Sequence, residues 1–174
     1  MSKIKSLLVG MLFLSLGFLT TLSNAASLDN EAIQFAKEIA IKHDHDENLI
    51  AAIIMVESKA GQHAGYEIVR NGRSTYYGMA QLTIGAAKDV LKTWPHLLEK
   101  YDVAKNDKAI KHALAYDYKF NIEVASKYLM MIRNQFGFTG HKLINSYNLG
   151  PGSKQISNRD FYYSRKVRKF MRIL

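Results

Sequence analysis

Glu57 stands out chemically, because it follows eight apolar residues, Leu49 to Val56, without a charge among them. A carboxyl group carried into an apolar interior loses water, and its pKa rises. An acid still protonated near neutrality can give its proton to a leaving group, as cleavage of a glycosidic bond requires. The plain alternative is an acid at a helix end that reaches solvent or pairs with a lysine, and position alone favours that alternative. Other residues of suitable chemistry are Ser58, Gln81, Tyr147 and Asn148. Tyrosine offers a flat ring for a sugar face and a hydroxyl able to hold a carboxyl group. The amides supply donors and acceptors for hydroxyl and N-acetyl groups.

Glycosidases of the two-carboxylate kind need a second acid at a set separation. Asp44, Asp46 and Glu67 are the near candidates in sequence. Asp44 and Asp46 precede the Glu57 helix and lie about three turns from it at ~1.5 Å per residue, so they read as caps; Glu67 remains open. The run His43-Asp44-His45-Asp46-Glu47 carries metal-ligand types. Consecutive residues at a helix–loop–helix joint rarely converge on one ion, so no metal site is expected. Cysteine is absent, which removes thiol nucleophiles and thiolate metal sites. No cofactor is called for.

The segments that must position these groups read as mostly helical. Ala32, Phe35, Ala36 and Ile39 recur at helical steps and predict a first helix from about Leu28 to His43. Asp46 is a suitable cap for the next, which ends near Ala60 with Gly61 as a stop. That helix, apolar all round, should be the buried centre of the domain. Residues 61–77 read as loop, with a conceivable short hairpin across Asn71-Gly72. Further helices are expected at Ile84 to Lys92, after Pro95, and at Ala104 to Tyr116. Another follows Asn121 as cap and closes at Gly137, with one more from His141 to Tyr147. The last runs from about Asp160 to the C-terminus.

Taken in order, four blocks give a resemblance. Glu57-Ser58 ends the buried helix; Gly78-Met79-Ala80-Gln81 follows a loop; Asn121 with Tyr128-Leu129 starts the later helix; Ser146-Tyr147-Asn148-Leu149-Gly150-Pro151-Gly152 comes last. Together they resemble the soluble lytic transglycosylase (SLT) domain family, over about Leu28 to Val167. The resemblance implies a single lysozyme-like domain and Glu57 as the sole catalytic acid and base. It also implies substrate contacts from Ser58, Gln81, Tyr147 and Asn148, with Asn121 and Tyr128 as framework. The implied substrate is the glycan strand of peptidoglycan, cut between N-acetylmuramic acid and N-acetylglucosamine with a 1,6-anhydro product. The sequence departs from the family's commoner pattern in its longer loop between Glu57 and Gln81, in Thr83-Ile84-Gly85-Ala86-Ala87, and in Ala125 where glycine is usual.

Export is the expected setting. Lys3 and Lys5 precede an apolar run from Leu7 to about Leu22, and Ser23-Asn24-Ala25 offers small residues before a cut ahead of Ala26. That is signal-peptide architecture, and the run is short of the roughly 20 apolar residues of a spanning helix. Residues 1–25 are therefore expected to be a leader and 26–174 one domain, monomeric, in the periplasm or envelope. The formal net charge is +9; Lys3 and Lys5 are the leader's only charges, so a chain cut there keeps +7. The excess gathers in Lys154, Arg159, Arg165, Lys166, Arg168, Lys169 and Arg172. Such a surface is drawn to an anionic wall or membrane. An exported chain is not expected to meet nucleic acid. Small members without a wall-binding module suggest service to a secretion, conjugation or pilus machine. A lysozyme-type hydrolase and a non-catalytic wall-binding protein are the rival readings.

Overall fold

The computed structural model describes residues 30–61, 67–70, 73–156 and 161–174. The expected leader and its cut site, the Asn71-Gly72 turn and the start of the last segment at Asp160 lie outside the described residues. Ala32–Leu174 forms a compact unit. Its helices are α1 (30–42), α2 (Leu49–Ser58), α3 (Ile84–Thr93), α4 (His96–Lys100), α5 (Asp107–Tyr116), α6 (Tyr118–Phe136), α7 (Gly140–Leu149) and α8 (Tyr162–Met171). One hairpin interrupts them. Strands β1 (Glu67–Arg70) and β2 (Arg73–Tyr77) pair antiparallel, Glu67 opposite Tyr77 and Arg70 opposite Arg73, with an irregularity between Ile68 and Val69. The domain is mostly helical and lysozyme-like.

The core sits between α2 and α6. Leu49 to Ile54 are buried without interruption, and they meet Phe120, Ile122, Leu129 and Ile132 of α6 in one apolar cluster. A helix apolar on every side is stable only when neighbours cover every side. Here α6 and α8 pack on it.

Caps set the boundaries, and two differ from expectation. Asn121 is not a cap: α6 begins earlier, because the Asp117 side chain accepts from Phe120 N at 3.0 Å. Asn121 lies inside the helix, wholly buried, with its amide committed to tertiary bonds. Nor does Asp46 cap α2. Its Oδ1 accepts from the backbone N–H of Asn48 at 3.0 Å, and Asn48 occupies the cap position. At its other end α2 stops at Ser58, before Gly61, where Lys59 and Ala60 turn left-handed. Their N–H groups return to the carbonyls of Met55 and Ile54, which satisfies the helix end.

The His43–Glu47 run fastens this corner. His43 Nδ1 meets Ser126 Oγ at 2.9 Å and His45 Nε2 meets the Ser126 carbonyl at 3.0 Å. Arg133 donates to the carbonyls of Asp44 and His43. Burial, with Lys127 close by, lowers His43 to about 4, so it is neutral.

Candidate active site

The site is organised around a tight backbone loop, Gly78-Met79-Ala80-Gln81, that follows β2. Tyr77 and Leu82 close it by exchanging N–H···O bonds of 2.9 and 3.1 Å. The loop needs glycine at its first position. Gly78 has φ +68°, and a Cβ there would lie 2.2 Å from the Leu114 carbonyl oxygen and 2.5 Å from Asn121 Nδ2. Gln81 is left-handed as well, at φ +50°, a conformation uncommon outside glycine.

Three helices pin that loop. Asn121 of α6 donates through Nδ2 to Tyr77 O at 2.9 Å and Leu114 O at 3.1 Å, and its Oδ1 accepts from Ala80 N at 2.8 Å. Ser58 of α2 is buried, its hydroxyl 2.8 Å from Met79 O and 3.1 Å from Ile54 O, and it accepts from Gly61 N. Tyr147 of α7 donates to Ala80 O at 2.7 Å, and its ring stands edge-on to Tyr128 at 5.9 Å. The four sequence blocks thus meet at one strained loop. Gln81 Nε2 donates to Gly78 O at 2.7 Å, whereas its Oε1, though buried, has no hydrogen-bond partner among the described residues. Asn148 sits exposed near the end of α7.

Glu57 is the penultimate residue of α2 and is partly buried. The Tyr163 hydroxyl donates to its Oε1 at 2.6 Å. Burial pushes the Glu57 carboxyl above its ordinary 4.5, and the Tyr163 bond pulls only part of the way back. Among the described residues no cation lies within ion-pair distance of it. Tyr147 and Tyr163 are both raised well above 10, first by burial and then by the nearby Glu57 charge, so both are firm phenols. Of the other acids, the Asp44 side chain is exposed and pairs with Arg133 at 3.5 Å. Asp46 is used in the α1–α2 turn, and the Glu67 backbone belongs to β1. Among the described residues, what moves Glu57 is its burial and one phenol, with no second carboxylate.

Sequence reasoning missed Tyr163. The phenol expected to hold a carboxyl group was Tyr147, but its hydroxyl is taken by the Ala80 carbonyl. A signal was present: Tyr163, Val167, Phe170 and Leu174 recur at three- and four-residue steps within the basic last segment. Such spacing marks an inward face, and α8 does turn that face to α2.

This helical, lysozyme-like domain carries at the end of α2 a partly buried acid bonded to one phenol, with a second phenol close by. The model of the transglycosylase SLT domain matches residues 34–168, and the chain belongs to that family. Domains of this family have lytic-transglycosylase-type activity on peptidoglycan, outside the cytoplasm. No curated protein and no solved structure matches the chain.

Proposed function

We propose that the protein is a peptidoglycan lytic transglycosylase that cuts the β-1,4 bond from N-acetylmuramic acid to N-acetylglucosamine and leaves 1,6-anhydro ends. The observation that carries this reading is Glu57, raised by burial and bonded to one phenol, with neither a cation nor a second acid acting on it among the described residues. Tyr163 occupies Oε1, so the proton of the neutral acid sits on Oε2, free to be given away. Glu57 protonates the glycosidic oxygen and the C1–O bond breaks. The resulting carboxylate takes the proton of the muramic acid 6-hydroxyl, whose oxygen closes on C1. Glu57 ends protonated again, and no water is consumed.

Gln81 offers its unpartnered Oε1 to a donor on the sugar chain, and Asn148 lies exposed beside Tyr147 for further contacts. Ser58 and the Tyr147 hydroxyl act through the loop they hold, and the Tyr147 ring offers a flat face to a sugar. Residues 1–25 serve as the export leader, cut before Ala26, and the domain from 26 onward works as a monomer in the periplasm or envelope. There it opens the wall locally for a secretion, conjugation or pilus machine.

The test is the mass profile of muropeptides released from purified sacculi by wild type and by Glu57→Gln. The proposal expects anhydro ends from the wild type and almost none from the variant. Hydrated, reducing ends alone would make the enzyme a lysozyme-type hydrolase. Binding without release by either protein would make it a wall-binding protein.

A further inference from the structure

The outer face of α8 has no part in the proposed chemistry. Placed at about 100° per residue, the segment Phe161–Leu174 divides into two arcs. Tyr163, Ser164, Val167, Phe170, Met171 and Leu174 share one; all are buried or partly buried, and this arc carries Tyr163 to Glu57. Phe161, Tyr162, Arg165, Lys166, Arg168, Lys169, Arg172 and Ile173 share the other, and every one of these eight is exposed. No acid falls anywhere in the segment. The cationic side opens into a groove of about 390 Å³ lined by His141, Arg165, Arg168, Lys169 and Arg172, with no acidic side chain among them.

The apolar members of this arc decide what it fits. Tyr162 and Ile173 are each 67% exposed and Phe161 is 38% exposed. Lys166 Nζ stands 4.5 Å from the centre of the Tyr162 ring, keeping its charge beside an aromatic face. A polyanion without apolar parts, such as polyphosphate, would be served by the cations alone, and large exposed apolar groups add nothing to its capture. Cations interleaved with aromatic and aliphatic side chains suit a surface that has phosphates outside and hydrocarbon just beneath. The C-terminal end of α8 is tied to α1 and to the start of α2. Lys37 donates to Leu174 O at 2.7 Å and Asn48 Nδ2 to Met171 O at 3.0 Å.

We propose that the outer face of α8 docks the domain onto anionic phospholipid membranes, its cations on the headgroups and Phe161, Tyr162 and Ile173 in the interface. Docking does not depend on the chemistry assigned to Glu57. Since α8 is a single helix, about 10–12 Å across with its side chains, its two arcs would hold Glu57 close above the lipid, facing glycan that lies nearest the membrane.

Sedimentation with vesicles tests this, using the chain that begins at Ala26, which contains the whole compact unit and lacks the apolar leader. Vesicles of phosphatidylcholine with a third phosphatidylglycerol should carry the protein down. Phosphatidylcholine alone should not, and 0.5 M salt should release most of it. Changing Arg165, Arg168, Lys169 and Arg172 together to Gln should weaken binding at least about tenfold. Tyr162→Ser with Ile173→Ser should weaken it severalfold, while binding of polyphosphate stays unchanged. These positions are exposed, and an unaltered circular dichroism spectrum and melting curve would verify the fold of each variant. Absence of binding to the anionic vesicles would overturn the proposal. So would vesicle binding that is indifferent to Tyr162 and Ile173, which would mark a general polyanion surface instead.

Discussion

Glu57 and Glu123 are both glutamates drawn into the helical interior, and their neighbours give them opposite properties. Among the described residues Glu57 receives one phenol and no cation, so burial dominates and its carboxyl rises above 4.5. Glu123, in α6, is 2% exposed. Burial pushes it up too, but Lys100 and Tyr101 donate to its Oε2, and the charges of Lys100 and Lys42 add to them. Its carboxyl therefore falls below the ordinary value. The Tyr101 phenol is raised in turn, by burial and by the Glu123 it bonds. Neutral His43 lies 3.9 Å away and adds no charge. The difference teaches that burial alone does not determine an acid's state; whether a cation is supplied determines it. Glu123 is equipped to stay ionised and hold α1, α4 and α6 together. Glu57 is placed to hold its proton to a higher pH than a free carboxyl does.

The largest expected consequence is catalytic. Glu57→Gln keeps an oxygen for Tyr163 but has no proton to give, so release of muropeptides should fall by about 10² to 10⁴-fold, with the melting temperature not reduced. Glu123→Gln should do the reverse. It strips Lys100 and Tyr101 of a charged acceptor and should cost roughly 2–3 kcal/mol in denaturant titrations, toward the low end because Lys100 is partly exposed. Activity per folded molecule should be kept. If Glu123→Gln abolished cleavage without unfolding, the division of labour between the two acids would be wrong.

The two variants should also differ in the sign of their pH dependence. Glu123 has a lowered folded pKa, so its contribution is present above the unfolded value near 4.5 and is lost as pH falls through the folded value. The stability gap between wild type and Glu123→Gln should thus close in acid. Glu57 has a raised folded pKa, so the folded state holds a proton that the unfolded state has lost. Its contribution is complete below 4.5 and declines as pH climbs toward the folded value. Glu57→Gln should therefore be at least as stable as wild type at neutral pH, and its advantage should disappear in acid. Thermal melts from acid to neutral pH would measure both trends.

The smallest effect belongs to Tyr163→Phe, worth about 1 kcal/mol of stability or less. Its mark is a shift. Removing the donor that lowers Glu57 should move the alkaline limb of cleavage to higher pH, because the acid then keeps its proton longer. An unmoved limb would mean that Tyr163 positions α8 without acting on the carboxyl.

How much of this was legible in the sequence follows from the same contrast. Glu57 stood out because an unbroken apolar run announces a buried helix and an acid at its end is conspicuous, but position alone favoured a structural acid and only the four blocks pointed to catalysis. The helical fold and the family followed from local pattern and block order, whereas residues 61–77 read as loop and their two strands were no more than conceivable. Glu123 stayed hidden, because beside Lys127 on a periodic helix it reads as an ordinary i,i+4 surface pair. The partners that keep it buried, Lys42, Lys100 and Tyr101, come from α1 and the end of α4, and no local pattern reports them. The roles of Ser58 and Tyr147 were blurred for a related reason. Their types suit a sugar, and each also donates to a carbonyl of the Gly78–Gln81 loop, a fact that only the fold can supply. Asn121 was mistaken for a cap because asparagine caps helices well, and Asp117, four residues earlier, does so too.

The central claim is that two glutamates of one domain, both drawn away from solvent, have their carboxyl pKa values moved in opposite directions. The most direct measurement is a titration of their side-chain carboxyl ¹³C resonances by NMR, assigned with Glu57→Gln and Glu123→Gln. The account predicts that Glu57 titrates above 4.5 and Glu123 below it. A Glu57 that titrates at or below 4.5, or a Glu123 that titrates above it, would contradict the account.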